Sequence, residues 1–306
     1  MKVDLAVEIS GIKMKNPSML AAGILGVSAS TLIRIAKAGA GSVVTKSIGV
    51  QPKEGYLGPT LIEVGKGVGF LNAMGLPNPG FEAFKEDIFL YKKQCEVPVI
   101  ISIFGSNAEE FQKVASGISE AKPDGYELNV SCPHGGRYGA IIGSDPSILI
   151  KVVKAVKDAV DRPVFVKLTP NVTDISTIAM AAEKAEADAI TAINTIKAMV
   201  IDIRAKKPVL GNKFGGLSGP AIRPIAVRCI YEIFEKVEIP IIGAGGITRW
   251  EDAVEFILAG AKAFQIGSAL SMNNFKIFDE INKGLANYME QMGIKKIDEM
   301  VGIAHE

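Results

Sequence analysis

Eight short apolar runs, each followed by a helical pattern, constrain this chain more than any other feature. The runs are "SMLAAG" (18–23), "SVVTKS" (42–47), "VIISIFG" (99–105), "YELNVSC" (126–132), "VFVKLTP" (164–170), "AITAINT" (189–195), "IPIIGAGG" (239–246) and "AFQIGSA" (263–269). They are rich in Val and Ile, as strands buried on both faces are. Amphipathic helices separate them. In "DPSILIKVVKAVKDAV", Asp145 can cap and Pro146 suits the first helical position, and Leu149, Val152, Val153, Val156 and Val160 share one stripe. "NAEEFQKVASGI" opens on Asn107 with Glu110 three residues later, and Thr248 with Glu251 reads as a capping box ahead of Ala253, Val254, Ile257 and Leu258. Strands alternating with helices predict a parallel sheet. The count and the length predict a (β/α)8 TIM barrel rather than an open sheet.

The chain has 306 residues, a length that α/β barrels reach as one domain, and a single domain over 1–306 is expected. Lys and Arg number 34 against 33 Asp and Glu, a net charge of +1. That balance gives no electrostatic reason to expect nucleic acid or an anionic membrane as partner. The 48% hydrophobic fraction suits a sheet covered on both faces. No apolar run approaches the ~18 residues of a bilayer span. Asp4 and Glu8 fall where a signal peptide needs an unbroken apolar core, so a cytoplasmic protein is expected.

Two stretches exceed the minimal alternation. Residues 48–80 form a Gly/Pro-rich insertion after the second strand, and residues 196–218 form another after the sixth. Both follow strand C-termini, where barrels build their sites, and long loops there are usually functional or disordered. The strand ends themselves carry Lys46 and Ser47, Ser102, Asn129 and Cys132, Lys167, Asn194 and Thr195, Gly245 and Gly246, and Gly267 and Ser268. A barrel gathers these on one face, which argues for a polar catalytic face. "GAGGIT" and "IGSA" leave backbone N–H groups near helix starts, as a phosphate site would, although tight turns alone would also explain them. "GAGGIT" is not a dinucleotide fingerprint, because Thr248 stands where the third glycine belongs. Lys46 and Lys167 suggest stabilisation of an anion or of charge on a reduced cofactor, although lysines snorkelling past the strand ends would also explain them.

The three cysteines, Cys95, Cys132 and Cys229, are far apart and lack CxxC spacing, so no disulfide framework or metal site is expected. Cys229 lies on a core stripe with Ile222, Ile225, Ala226, Ile230 and Ile233, and Cys95 precedes a strand at the opposite end. Both read as structural. Cys132 follows a strand C-terminus in "NVSCPHGG" and reads as functional, two residues before His134. No partner that would orient His134 for a Cys–His nucleophile stands out. A cysteine can also act as a general base, with an ordinary pKa of ~8.5.

The motifs "NAMGLPNPG", "NVSCPHG", "VKLTPNV", "AINT", "GGLSGPAIRPIA" and "GAGGI", in that order over roughly 15–304, resemble the dihydroorotate dehydrogenases. The resemblance implies an FMN-containing barrel that oxidises dihydroorotate to orotate in pyrimidine biosynthesis, with Cys132 as the base that marks the soluble class. It implies substrate contacts from Lys46, Asn72, Ala73, Met74, Gly75, Leu76, Asn129, Asn194 and Thr195. It implies FMN contacts from Ala22, Lys46, Ser47, Ser102, Asn129, Lys167, Ile193, Gly219, Gly245, Gly246, Gly267 and Ser268, the last four of the set serving the phosphate. Ser102 stands where the family pattern has asparagine, and Ala22 where serine is common. The pattern is most similar to the catalytic subunit of the NAD-linked type. That type implies a partner subunit carrying FAD and an iron–sulfur cluster, a heterotetramer of two subunits of each kind, and a homodimer of this chain. A fumarate-linked enzyme is the alternative. "SCPHG" with "LTPNVTDI" is also similar to the pyrimidine-reducing domain of dihydropyrimidine dehydrogenase. Outside the flavin enzymes, a phosphate-binding barrel lyase or isomerase, or a scaffold subunit, competes.

Overall fold

The computed structural model describes residues 3–131, 142–273 and 275–306. Eight strands close into a barrel: β1 (Ser18–Leu20), β2 (Ser42–Val44), β3 (Val99–Ile103), β4 (Gly125–Asn129), β5 (Val164–Leu168), β6 (Ala189–Ala192), β7 (Ile241–Ala244) and β8 (Ala261–Ile266). Each pairs in parallel with its sequence neighbours, and β8 pairs with β1 to complete the ring. The expected (β/α)8 architecture is the observed one. Around the ring run α1 (Ala29–Lys37), α2 (Phe81–Gln94), α3 (Ala108–Ile118), α4 (Pro146–Lys157), α5 (Ile175–Lys184), α6 (Arg223–Phe234), α7 (Trp250–Leu258) and α8 (Ile277–Met292).

The apolar runs extend past the strands they mark. The run 189–195, for instance, outlasts β6, which ends at Ala192, and 42–47 outlasts β2, which ends at Val44. Lys46, Ser47, Asn194 and Thr195 therefore sit beyond the strands, whereas Ser102, Asn129 and Lys167 lie within the ladder near its C-terminal edge.

Side-chain caps account for half of these helix starts. Asp145 accepts the N–H groups of Ser147 (2.8 Å) and Ile148 (3.3 Å), with Pro146 at the first helical position. Asn107 accepts from Glu110 N–H at 2.9 Å, while the Glu110 carboxylate accepts from Ser106 N–H at 2.7 Å. The expected Thr248–Glu251 box is corrected. Helix α7 starts at Trp250, which moves the third helical position to Asp252. Its Oδ2 accepts from the Thr248 N–H and hydroxyl, both at 2.9 Å, and from Arg249 N–H at 3.2 Å. Asp252 is buried and also pairs with the Arg223 guanidinium. On the Cys229 stripe, Ile225 proves 40% exposed, whereas Ala226, Cys229, Ile230 and Ile233 are buried against the barrel. One turn of α6 begins too far round for Ile225 to reach the core.

Both insertions are ordered by each other. Strands Leu61–Glu63 and Phe70–Asn72 come from the first, and Ile196–Ala198 and Gly215–Ser218 from the second. They form one antiparallel sheet in which Gly216 pairs with Asn72 and Leu217 with Leu71. Leu71, Ala73 and Leu210 give it a small core of its own. Ile196 and Leu217 pack it onto the barrel. At the other end, a hairpin of Val7–Ile9 and Ile12–Met14 closes the strand N-termini, with Ser10 donating to the Asp188 carbonyl at 2.6 Å.

Burial alone would raise the Asp252 carboxyl, but hydrogen bonds from Thr248 and the Arg223 guanidinium hold it below its ordinary value. Its contribution is present above the unfolded carboxylate value and is lost as pH falls through the lower folded value. Asp252→Ala is expected to cost about 3 kcal/mol at neutral pH, from the lost cap and the stranded guanidinium. Urea titrations of both proteins at pH 7 and below pH 4 check this: the gap between them should narrow in acid.

Candidate active site

The strand C-termini meet at one mouth, and a chain of polar side chains crosses it. The Ser47 and Ser102 hydroxyls lie 2.9 Å apart. Asn129 Nδ2 donates to Ser47 Oγ at 3.0 Å, and Asn194 Nδ2 reaches Asn129 Oδ1 at 3.3 Å. Asn194 Oδ1 in turn accepts from Thr195 N–H at 2.8 Å. Ser47 and Ser102 are buried, so they need these partners. The amides of Asn129 and Asn194 are only part-buried, which leaves them able to meet a ligand.

Beneath this chain lies a layer that sequence reasoning missed. Glu127, Thr191 and Gln265 point into the barrel from β4, β6 and β8, with Lys167 from β5. They are 0, 0, 1 and 6% exposed. Lys167 Nζ donates to Gln265 Oε1 at 2.8 Å and lies 3.6 Å from Glu127 Oε1. Gln265 Nε2 and the Thr191 hydroxyl donate to Glu127 Oε2 at 2.5 and 2.9 Å. An ammonium has three N–H donors. Among the described residues only Gln265 takes one, so Lys167 is a buried cation with donors to spare. The signal was available: single polar residues interrupt "YELNV" and "AFQIG" at positions that face inward.

Lys46 follows β2 and is half-buried, and burial pushes its amine below the ordinary lysine value. The other expected residues fall into two groups. Asn72 ends an inserted strand and donates to the Gly216 carbonyl at 3.0 Å. Ala73 donates its N–H to Thr60, and Tyr56 N–H reaches the Met74 carbonyl. Leu76 holds φ +58°, pinned by Asn78, whose Nδ2 donates to the Leu76 carbonyl at 2.9 Å. Asn78 also accepts from Gly80 and Gly49 N–H, so it ties this loop to the end of β2. Sequence reasoning passed over Asn78. Ala73 through Leu76 make no hydrogen bond to the polar chain among the described residues.

The second group is the glycine cluster after β7 and β8, with Gly219. Gly219 and Gly246 take φ +102° and +81°, and a Cβ on Gly246 would sit 2.7 Å from the Gly219 carbonyl oxygen. Only glycine permits this approach. Among the described residues, the N–H groups of Gly219, Gly245, Gly246, Gly267 and Ser268 meet no protein acceptor. Ile193 borders them, buried, with its N–H on the Ala244 carbonyl. Ala22 is half-buried after β1, and its neighbour Ala21 faces Gly267 at van der Waals distance. Free N–H groups at the ends of β7 and β8 suit a phosphate, and the spare N–H donors of Lys167 suit an anionic or electron-accepting ring. Cys132 and His134 lie outside the described residues.

The family model of dihydroorotate dehydrogenase matches residues 4–289. The chain belongs to the dihydroorotate dehydrogenase family. It is 52% identical over 304 residues to the "Dihydroorotate dehydrogenase B (NAD(+)), catalytic subunit" of Pyrococcus furiosus, covering 99% of this chain and all of the relative. The protein of the same name from Methanosarcina mazei is 53% identical, covering 97% of this chain and 94% of that one. The crystal structure of a DHODH in complex with ferulenol from Eimeria tenella superposes with a TM-score of 0.85. It covers 99% of this chain and 89% of that one at 20% identity, a likeness of fold. Among the described residues no helix is long and apolar enough to cross a membrane.

The shared insertion sheet sets Gly216 between Asn72, whose Nδ2 donates to its carbonyl, and the Thr195 side chain. A Cβ on Gly216 would lie 2.1 Å from Thr195 Oγ1. Gly216→Ala is therefore expected to displace Thr195 and lower kcat/KM about 100-fold, while the melting temperature stays within a few degrees. Steady-state kinetics and a thermal scan on the same preparation check it.

Proposed function

We propose that this chain is the catalytic subunit of an NAD-linked dihydroorotate dehydrogenase, oxidising dihydroorotate to orotate with FMN. The observation that carries the flavin reading is Lys167, a buried ammonium with spare N–H donors at the barrel mouth, beside a cradle of free backbone N–H groups. A phosphate-binding lyase would use the cradle but has no need of that buried cation. The relatives' printed names support the NAD-linked type over the fumarate-linked and dihydropyrimidine alternatives.

FMN, when bound, supplies the hydride acceptor. The chain's own groups divide the rest. Gly219, Gly245, Gly246, Gly267 and Ser268 would hold the phosphate, and Ala22, Ser47, Ser102 and Ile193 would line the isoalloxazine and ribityl side. Lys167 would set positive charge at the ring edge. Ser102 Oγ is turned to Ser47 Oγ, so its share would pass through that pair. Lys46, whose amine burial pushes below the ordinary lysine value, would meet the substrate carboxylate. Asn129 and Asn194 would orient the substrate ring, with Thr195, Asn72 and the Ala73–Leu76 loop closing the other side. Cys132 would take the proton from the carbon next to the one that loses hydride.

The whole chain, 1–306, would act as one FMN-binding unit. Its electrons would leave to NAD through a partner subunit carrying FAD and an iron–sulfur cluster. The assembly would be two subunits of each kind, built on a homodimer of this chain, in the cytoplasm.

Anaerobic mixing of the purified chain with dihydroorotate, and separately with dihydrouracil, tests cofactor and substrate together. Bleaching of the flavin by dihydroorotate alone is expected. A colourless protein, or bleaching by dihydrouracil alone, overturns the reading. Cys132→Ala should retain FMN and lose about 10²–10⁴-fold in turnover. Normal turnover in that variant would remove Cys132 as the base.

A further inference from the structure

The proposed reaction leaves one buried charge without a part. Glu127 is fully buried inside the barrel, where side chains are normally branched and apolar. A carboxylate there is costly unless it is paired and hydrogen-bonded. Its two supports fall on different oxygens. Gln265 and Thr191 donate to Oε2, and Oε1 faces the Lys167 ammonium at 3.6 Å with no hydrogen bond of its own.

Gln265 is the bridge. The ammonium can only donate and the carboxylate can only accept, so the two ends of the amide have fixed roles. Its Oε1 takes a proton from Lys167 and its Nε2 gives one to Glu127. The amide thus aligns its dipole with the ion pair and holds the two charges in fixed order. The lysine stands nearer the mouth, and the carboxylate lies behind it.

We propose that Glu127 is the fixed counter-charge of Lys167 and lowers the reduction potential of the bound flavin. This rests on the flavin reading above. Two-electron reduction of a flavin with uptake of one proton adds one net negative charge to the ring. A lone ammonium in a low-dielectric site favours that charge strongly. The carboxylate behind it offsets part of the attraction, so the electrons taken from the substrate are released onward more readily. Glu127 touches neither ring nor substrate in this arrangement. It is a positioning residue that acts through Lys167 and Gln265.

The test is the midpoint potential of purified holoprotein, measured by equilibration with a redox dye and without substrate. Glu127→Gln removes the charge and keeps the shape. It should bind reduced FMN at least tenfold more tightly relative to oxidised FMN, an upward shift of about 30 mV for a two-electron couple. The double substitution Glu127→Met with Lys167→Met removes both charges and should shift the potential downward instead. Replacing a whole buried pair by apolar groups is tolerated better than breaking it, so this variant decides the matter if Glu127→Gln does not fold. An unchanged or lowered potential in Glu127→Gln overturns the proposal, as does a wild-type potential in the double variant. A wild-type chain that takes up no FMN overturns the flavin reading itself, whereas holoprotein with an unmoved potential overturns the counter-charge alone.

Discussion

Closure of the parallel ring is the constraint on which everything else rests. Once β8 pairs with β1, every strand must run the same way, and every C-terminal end must arrive at the same mouth. Residues as far apart in sequence as Ser47, Asn129 and Asn194 then lie within hydrogen-bond reach of one another. No local preference could bring this about. The helices secure closure from outside by burying one stripe each, and the interior is filled by side chains pointing inward from alternate positions.

The interior is where the barrel departs from a purely apolar filling. Glu127, Thr191, Gln265 and Lys167 replace part of a hydrophobic layer by a network in which most polar atoms have partners. Such a network contributes little net stability compared with packed aliphatic groups. What it does provide is a fixed direction for the lysine. A long flexible side chain at a barrel mouth would otherwise sample several rotamers and carry its charge with it.

The fold was legible because period and composition agree: Val/Ile runs at strand spacing alternate with striped helices, and the barrel follows from the count. Polar strand ends were legible for the same reason, since Lys46, Asn129 and Asn194 each break an apolar run at its last residues. What escaped was whatever depends on partners distant in sequence. The insertions read as loops because strands of three or four residues, such as Leu61–Glu63 and Gly215–Ser218, carry too few residues to show a period. Glu127 and Gln265 escaped because a single polar residue inside a run is discounted when one looks for apolar stretches. The shift of the α7 cap from Glu251 to Asp252 turns on a one-residue difference in where the helix starts, and two acidic residues in succession leave that open.

The insertion sheet also has a bearing on how the molecule assembles. Asn72 and Gly216 pair across 144 residues of intervening chain, a span that includes β3 through β6. A two-stranded ribbon of Leu61–Glu63 and Phe70–Asn72 is too small to persist alone. Closing so long a loop carries an entropy cost that is offset only once the barrel has already brought the ends together. The rim over the mouth is thus the last part of the architecture to become possible. An emerging polypeptide has most of its scaffold before it has anything resembling a finished pocket.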